Sequence, residues 1–253
     1  MSFGAPHRHF RVTDSTNARA RELVEAGAPG GTVVTAAEQT AGRGRQGRVW
    51  TAPAGGGLLY SALLRPLDER HLLLPLAVPL ALCEAAETLQ PEIECQIKWP
   101  NDVWLQERKL AGVLIEAKPQ DGWAVIGVGL NLSISTDEFP PDLRETAVSI
   151  FDSSEPGRGE SRRSLPAVAP TGLPPSPLTA AAVLSRHLTR WVEADRDDVL
   201  TAWRERDALR GREISWQDGS GVAKGIDDSG DLLVRGVDGE LAVLGAGEVH
   251  LRL

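Results

Sequence analysis

The sequence predicts an α+β fold: a mixed, mostly antiparallel sheet with helices on one side, followed by a small β unit. Three observations predict it. Short β-like segments between Cys95 and Ile134 are separated only by tight turns. Two long stretches carry apolar residues at helical spacing. From Gly211 onward, short β-runs alternate with Asp/Gly turns. With 253 residues, 42% hydrophobic and 25% charged, the chain can bury the core of one large domain with a small appendage.

The elements follow in order. "TDSTNARARELVEAGAPGG" predicts a helix, capped at its start by Asp14, Ser15 or Thr16 and ended by Gly27. "GTVVTAAE" predicts a strand, because its β-branched residues follow Gly30 and Gly31. After an Arg/Gly loop, "GGGLLYSALLRP" predicts another strand. Pro75 to Leu89, rich in Ala and Leu, predicts a buried helix whose first turn Pro79 should kink. "CQIKWPNDVWLQERKLAGVLIEAKPQDGWAVIGVGLNLSI" predicts a meander with turns at Glu107-Arg108 and Pro119–Gly122. Residues 152–177 are rich in Pro, Ser, Gly and Arg, have little to bury, and are expected to form a mobile insertion. Thr179 to Leu209 predicts helix, with Val183, Leu184, Leu188, Trp191 and Val192 at helical spacing. The expected division is residues 1–209 as the main domain and 210–253 as the C-terminal β unit.

Charge and composition narrow the function. The net charge of −8 repels polyanions, so any anion site must be local. Four basic and eight acidic side chains from Gly211 onward argue against a nucleic-acid role there. Cys83 and Cys95 match no metal or redox spacing and read as packing residues. No apolar run is long enough to span a bilayer and the first residues have no signal core, so neither membrane nor nucleic acid is an expected partner, and a reducing cytoplasm is the expected compartment.

Three constellations carry chemistry. In "EQTAGRGRQGRVW", Gly42, Gly44 and Gly47 let the backbone turn and approach a ligand, while Arg43, Arg45 and Arg48 offer forked donors suited to carboxylate or phosphate. No Gly-Lys-Ser/Thr follows, so it is not a P-loop. Alone, it reads as a nucleic-acid patch, a solvated charge run, or a loop that closes on a small anion. In "KWPNDVWLQERKLAGVLIE", Lys98 and Lys109 flank a hairpin that can bring two cations together, and Gly112 marks close approach of something to the strand. Each lysine alone also reads as an exposed strand charge, and Asn101-Asp102 as a turn. In "GVGLNL", Asn131 among apolar neighbours requires a partner, either an adenine edge or a backbone carbonyl. Ser15 and Thr16 read equally as helix caps.

Together, "DSTN", the Arg/Gly loop, "KWPND…RKLAGVLIE" and "GVGLNL", in this order, closely resemble the biotin protein ligases. The resemblance is strong from about Val12 to Asn131 and weaker beyond. It implies a class II synthetase-like biotin/lipoate ligase fold with a C-terminal SH3-like β-barrel. It also implies ATP-dependent formation of biotinyl-5′-AMP, then transfer of biotin to a lysine of the biotin carboxyl carrier domain of a carboxylase. By this resemblance Arg43, Arg45, Arg48, Lys98 and Lys109 are catalytic. Ser15, Thr16, Asn17, Gln39, Gly42, Gly44 and Gly112, with Arg43, Arg45 and Lys109, hold biotin. Arg45, Arg48, Trp50, Asn101, Asp102, Lys109 and Asn131 meet ATP or the adenylate. Mg²⁺ would come with ATP, with Asp102 near it. A ligase for lipoate or octanoate on the same fold is disfavoured by the Arg/Gly loop and "KWPND". Members with an N-terminal winged helix-turn-helix act as repressors; this chain begins at the catalytic segment, so no repressor function is expected. Exposed strand edges leave a homodimer open.

Overall fold

The structure, a computed structural model, describes residues 1–151, 173–245 and 249–251. Most of the 152–177 insertion lies outside these residues. The first sheet has seven strands: β1 (His7–Phe10), β2 (Val33–Ala36), β3 (Gly57–Leu64), β4 (Gln96–Lys98), β5 (Asp102–Leu105), β6 (Arg108–Lys118) and β7 (Trp123–Asn131). Their spatial order is β1-β2-β3-β7-β6-β5-β4. Every neighbouring pair is antiparallel except β1 with β2, so the sheet is mixed and mostly antiparallel as predicted. Strand β1 was not predicted. Its sequence, HRHF, has no apolar alternation, and it forms by pairing along the exposed edge of β2.

Four helices complete this unit: α1 (Thr16–Glu25), α2 (Leu74–Leu89), α3 (Pro177–Val192) and α4 (Arg196–Glu205). They cover both faces of the sheet, which corrects the expectation of one side. Helix α1 packs Ala20 and Val24 on Val34, Leu63, Trp123 and Val125. The opposite face, including Leu58, Tyr60, Ala62 and Ile126, packs under α2, α3 and α4. The cause is visible in β3, where all eight residues of GLLYSALL are buried. A strand that is apolar on both alternating faces needs cover on both.

Three local expectations also change. The β5–β6 hairpin turns at Gln106-Glu107, one residue earlier than expected, with φ of 51° and 62°. A two-residue turn with both φ values positive matches the strand twist, and here it forms without glycine. The helix expected over 179–209 is two helices, broken between Val192 and Arg196, with Asp195 at the start of α4. Helix α2 continues through Pro79 as one element. Pro79 sits one turn in, so its missing N–H removes only a bond that would have met the carbonyl of Pro75.

The C-terminal unit contains β8 (Glu213–Trp216), β9 (Gly219–Ile226), β10 (Leu232–Gly236), β11 (Leu241–Leu244) and β12 (His250–Leu251), in the order β11-β10-β9-β8-β12. Among the described residues this is an open antiparallel sheet, with no pairing of β11 to β12. Ile214, Ala223, Ile226, Leu232, Val234 and Val249 belong to the same apolar core as α2, α4 and the first sheet. The Trp99 indole N–H donates to Gly230 O at 3.1 Å, tying the "KWPND" segment to this unit. Strand β4 is held from the other side: Ile97 N–H donates to Arg206 O at 2.7 Å, and the Arg206 guanidinium pairs with Glu87 of α2 at 2.6 and 2.8 Å. Cys83 and Cys95 are buried free thiols within the core.

Candidate active site

On the α1 face, the middle of the sheet is stripped of side chains. Gly127, Gly129 and Asn131 alternate onto this face of β7, and Gly112 lies opposite Gly129 on β6. A Cβ on Gly127 would lie 2.2 Å from Asn17 Oδ1, and one on Gly129 would lie 2.2 Å from Trp50 Cε2. One on Gly112 would meet Trp50 at 3.2 Å and Lys109 Cε at 3.3 Å. These glycines form the floor of a cleft of about 640 Å³, which almost every residue expected to contact ligand lines. Gly42 is the exception and acts from behind: a Cβ there would lie 2.3 Å from Trp50 O.

The Arg/Gly segment forms a small ribbon above that floor. Arg43 bridges to Val49, Gly44 N–H donates to Arg48 O, and Trp50 N–H donates to Gly42 O. The tip, Gln46-Gly47, turns with φ of 54° and 76°. Arg45 Nη1 donates to Asn101 Oδ1 at 3.2 Å, while Asn101 Nδ2 donates to Val113 O at 2.7 Å. Asn101 therefore links the ribbon to the sheet.

Strands β4, β5 and β6 supply the remaining charges. Lys109 Nζ lies 2.7 Å from Asp102 Oδ1 and 5.8 Å from the Trp50 ring centre. A strict two-residue alternation would put Lys109 and Gly112 on opposite faces. The register shift beside Val103 and Trp104 pairs Trp104 with Lys109 and turns Lys109 onto the glycine floor. Lys98 stands over the Trp104 ring at 5.2 Å. Burial lowers the Lys98 pKa from the usual lysine range; Asp102 opposes this, while Lys109 and Arg48 add to it. One carboxylate and two ammonium groups thus share this end of the cleft.

The other end is a polar wall at the start of α1. Ser15, Thr16 and Asn17 are buried, and Ser15 occupies the cap position without a side-chain cap bond. Gln39 Oε1 accepts from Thr16 N–H at 2.7 Å and lies 3.0 Å from Thr16 Oγ1. The capping alternative for these hydroxyls is therefore not what forms. Asn131 has the carbonyl partners: its Nδ2 donates to Val148 O at 3.0 Å and to Lys109 O at 3.5 Å. Trp123 packs in the core beneath α1, Trp99 belongs to the main core and also lines the cleft, and Trp104 lines the cleft beside it.

Sequence reasoning missed several contributors. Gly127 and Gly129 of "GVGLNL" are the first of these: two same-face glycines beside Gly112 signal a bare patch. Thr146–Ala147 pairs alongside Lys109, and Phe139, Val249 and Leu251 close the rim. Nothing local in the sequence marks those positions. Among the described residues no cluster of three or more His, Cys, Asp or Glu could hold a metal, and no helix is long and apolar enough to cross a membrane.

A half-bare sheet carrying an arginine ribbon and two lysines beside one carboxylate defines a site for paired anionic groups. Residues 9–132 match the Biotin/lipoate A/B protein ligase family. The chain is 37% identical to the Biotin--[acetyl-CoA-carboxylase] ligase of Mycobacterium tuberculosis, over 98% of this chain and 91% of that protein. It is 38% identical to the Bifunctional ligase/repressor BirA of Bacillus spizizenii over 56% of this chain and 45% of that protein, so the match spans about half the length of that relative. A solved structure, the biotin protein ligase from Aquifex aeolicus in complex with biotin and ATP, superposes with a TM-score of 0.77 at 27% identity, covering 98% of this chain and 99% of that one. The chain belongs to the biotin/lipoate A/B protein ligase family, on its biotin protein ligase branch.

Proposed function

We propose that the chain activates biotin with ATP and transfers it to a lysine of a biotin carboxyl carrier domain. The observation that carries this is the convergence of Lys109, Asp102 and the arginine ribbon on a glycine floor, with a hydrogen-bonding wall at the far end. A ligand with a polar head, an apolar bicycle and a carboxylate tail fits that polarity.

In the first step a biotin carboxylate oxygen attacks the α-phosphorus of ATP and pyrophosphate leaves. Both reactants are anions, so their approach needs fixed cations in a site partly shielded from water. Lys109, which the bulge in β6 turns into the cleft, sits where the carboxylate and phosphate would meet, and Arg43, Arg45 and Arg48 supply charge from above. Asp102 holds Lys109 in place. In the second step the carrier amine attacks the acyl carbon, a proton leaves the nitrogen, and AMP departs. Ser15, Thr16, Asn17 and Gln39 form the head-group wall; Trp50, Asn101 and Asn131 lie toward the nucleotide.

Mg²⁺ suits the site as a companion of the triphosphate. It is commonly bound by one or two carboxylates plus substrate phosphates, and Asp102 offers one such group. We read residues 210–253 as the SH3-like unit, whose Val249 and Leu251 reach the rim of the cleft. The test is incubation with ATP and either biotin or lipoate. Biotin-dependent pyrophosphate release with a trapped acyl-adenylate is expected. Release that depends on lipoate instead contradicts the reading.

A further inference from the structure

The wall at the start of α1 contains an ordered chain of hydrogen bonds whose direction can be worked out. Asn17 Nδ2 lies 2.8 Å from Glu116 Oε2 and 3.4 Å from Leu114 O. A carboxylate and a carbonyl only accept, so this end of the Asn17 amide is the donating nitrogen, and Oδ1 faces the other way. Ser61 Oγ lies 2.6 Å from Asn17 Oδ1, which cannot donate, so the Ser61 proton goes there. The 2.8 Å contact between Ser61 and Thr16 must then draw on the Thr16 proton, which is shared between Ser61 Oγ and Gln39 Oε1. Independently, the Thr16 backbone N–H, 2.7 Å from Gln39, requires that atom to be the oxygen. Gln39 therefore turns its amino group away from Thr16, to the side of Gly42, and its side chain lines the cleft.

Two amides thus reach the cleft with opposite polarity. Asn17 keeps an oxygen lone pair and Gln39 keeps N–H donors. We propose that Glu116 and Ser61 are positioning residues that fix this polarity by acting through Asn17 and Thr16, and so make the wall specific for a head group with one carbonyl acceptor flanked by N–H donors. Glu116 belongs to the far half of β6 and is not among the residues lining the cleft. Its other oxygen faces Arg21 of α1 at 3.6 Å, so the carboxylate is held from both sides. Ser61 is fully buried at the centre of β3. Gly127 is part of the same device, because a side chain there would occupy the space of the Asn17 amide.

This inference rests on the ligase reading and concerns only how the head group is chosen. Glu116→Gln replaces the nearer of the two acceptors on Asn17 Nδ2 with an amide that can itself donate, which weakens the hold on the Asn17 orientation. Ser61→Ala strands Asn17 Oδ1 without its donor. Biotin is compared with 2-iminobiotin, in which a protonated guanidinium, a pure donor, replaces the urea carbonyl. The wild-type chain is expected to activate biotin and to reject 2-iminobiotin at neutral pH. Both variants are expected to raise KM for biotin about tenfold with little change in kcat, the size of one lost buried hydrogen bond. Both should also narrow the discrimination against 2-iminobiotin. Gln39→Glu, which swaps the outward donor for an acceptor, should reverse the preference. Where Ser61→Ala lowers the yield of folded protein, Glu116→Gln, with its partly exposed side chain, carries the comparison. Normal activation of biotin, with KM and discrimination unchanged in Glu116→Gln, overturns this inference alone. Failure of the wild-type chain to activate biotin at all overturns it together with the ligase reading.

Discussion

Lys98 shows how a single side chain can carry both charge and a pH dependence. Its ammonium is disfavoured mainly by burial, and Lys109 and Arg48 add repulsion. An anionic nucleotide beside it would favour the charged form, so binding should take up a proton in the pH window between the lowered pKa and the higher pKa of the complex. Affinity should accordingly fall as pH rises through that window. The sign for folding is opposite. Between the lowered value and the ordinary lysine value the unfolded chain binds more protons, so stability rises with pH across that window. Calorimetric titration of ATP in buffers of different ionisation enthalpy tests the binding half. Proton uptake is expected in the wild-type chain at alkaline pH inside the binding window and should vanish in Lys98→Met; no uptake in the wild-type chain at any pH up to the ordinary lysine value contradicts the assignment. Burial of this kind is not legible in the sequence, where Lys98 stands in QIK with the pattern of an exposed strand residue.

At the scale of elements, what could be read followed from local chemistry. Helix α1, strands β2, β3, β6 and β7, and the turn at Gly122 all carry their own signals: apolar period, β-branching, or a glycine at positive φ. What could not be read depends on partners distant in sequence. Strand β1 exists through β2, and the placement of helices on both faces is decided by which residues of β3 need cover. The β6 bulge is the most consequential case, because it decides that Lys109 faces the floor. The Arg/Gly segment lies between these extremes: its glycines announce a turn, but its folding back into a ribbon requires the Gly42–Trp50 approach. That ribbon is the element expected to retain the activated intermediate, since Arg45 fastens it to Asn101. Arg45→Gly should loosen it, releasing biotinyl-adenylate that labels bystander amines. Labelling of an added unrelated protein, followed by mass spectrometry, reads this out. Retention equal to wild type would remove the gatekeeping role from Arg45. Truncating the ribbon's cations together, by contrast, should lower activation itself by about two to three orders of magnitude per essential donor.

For the whole molecule, the core does not stop at residue 209. Side chains of β8, β9 and β10 share one apolar cluster with α2 and α4, and Trp99 donates across to Gly230. The two units are therefore expected to unfold together in a single thermal transition. Trp99→Phe, which keeps the ring and removes the N–H, should cost about 1 kcal/mol and leave the transition single. Two separated transitions in calorimetry would show instead that the C-terminal unit is an independent appendage. This continuity also brings Val249 and Leu251 to the cleft rim, so the second unit helps shape the site whose charges come from the first.

The central claim is that the glycine floor, the α1 wall and the Lys109–Asp102 corner form one site for one ligand. A crystal structure with a non-hydrolysable biotinyl-adenylate analogue tests it most directly. The urea should lie within hydrogen-bonding reach of Gln39 and Ser15, with the phosphate between Lys109 and the arginine ribbon. An analogue seated elsewhere, such as the smaller cavity of about 210 Å³ between His71 and Trp191, would contradict the account.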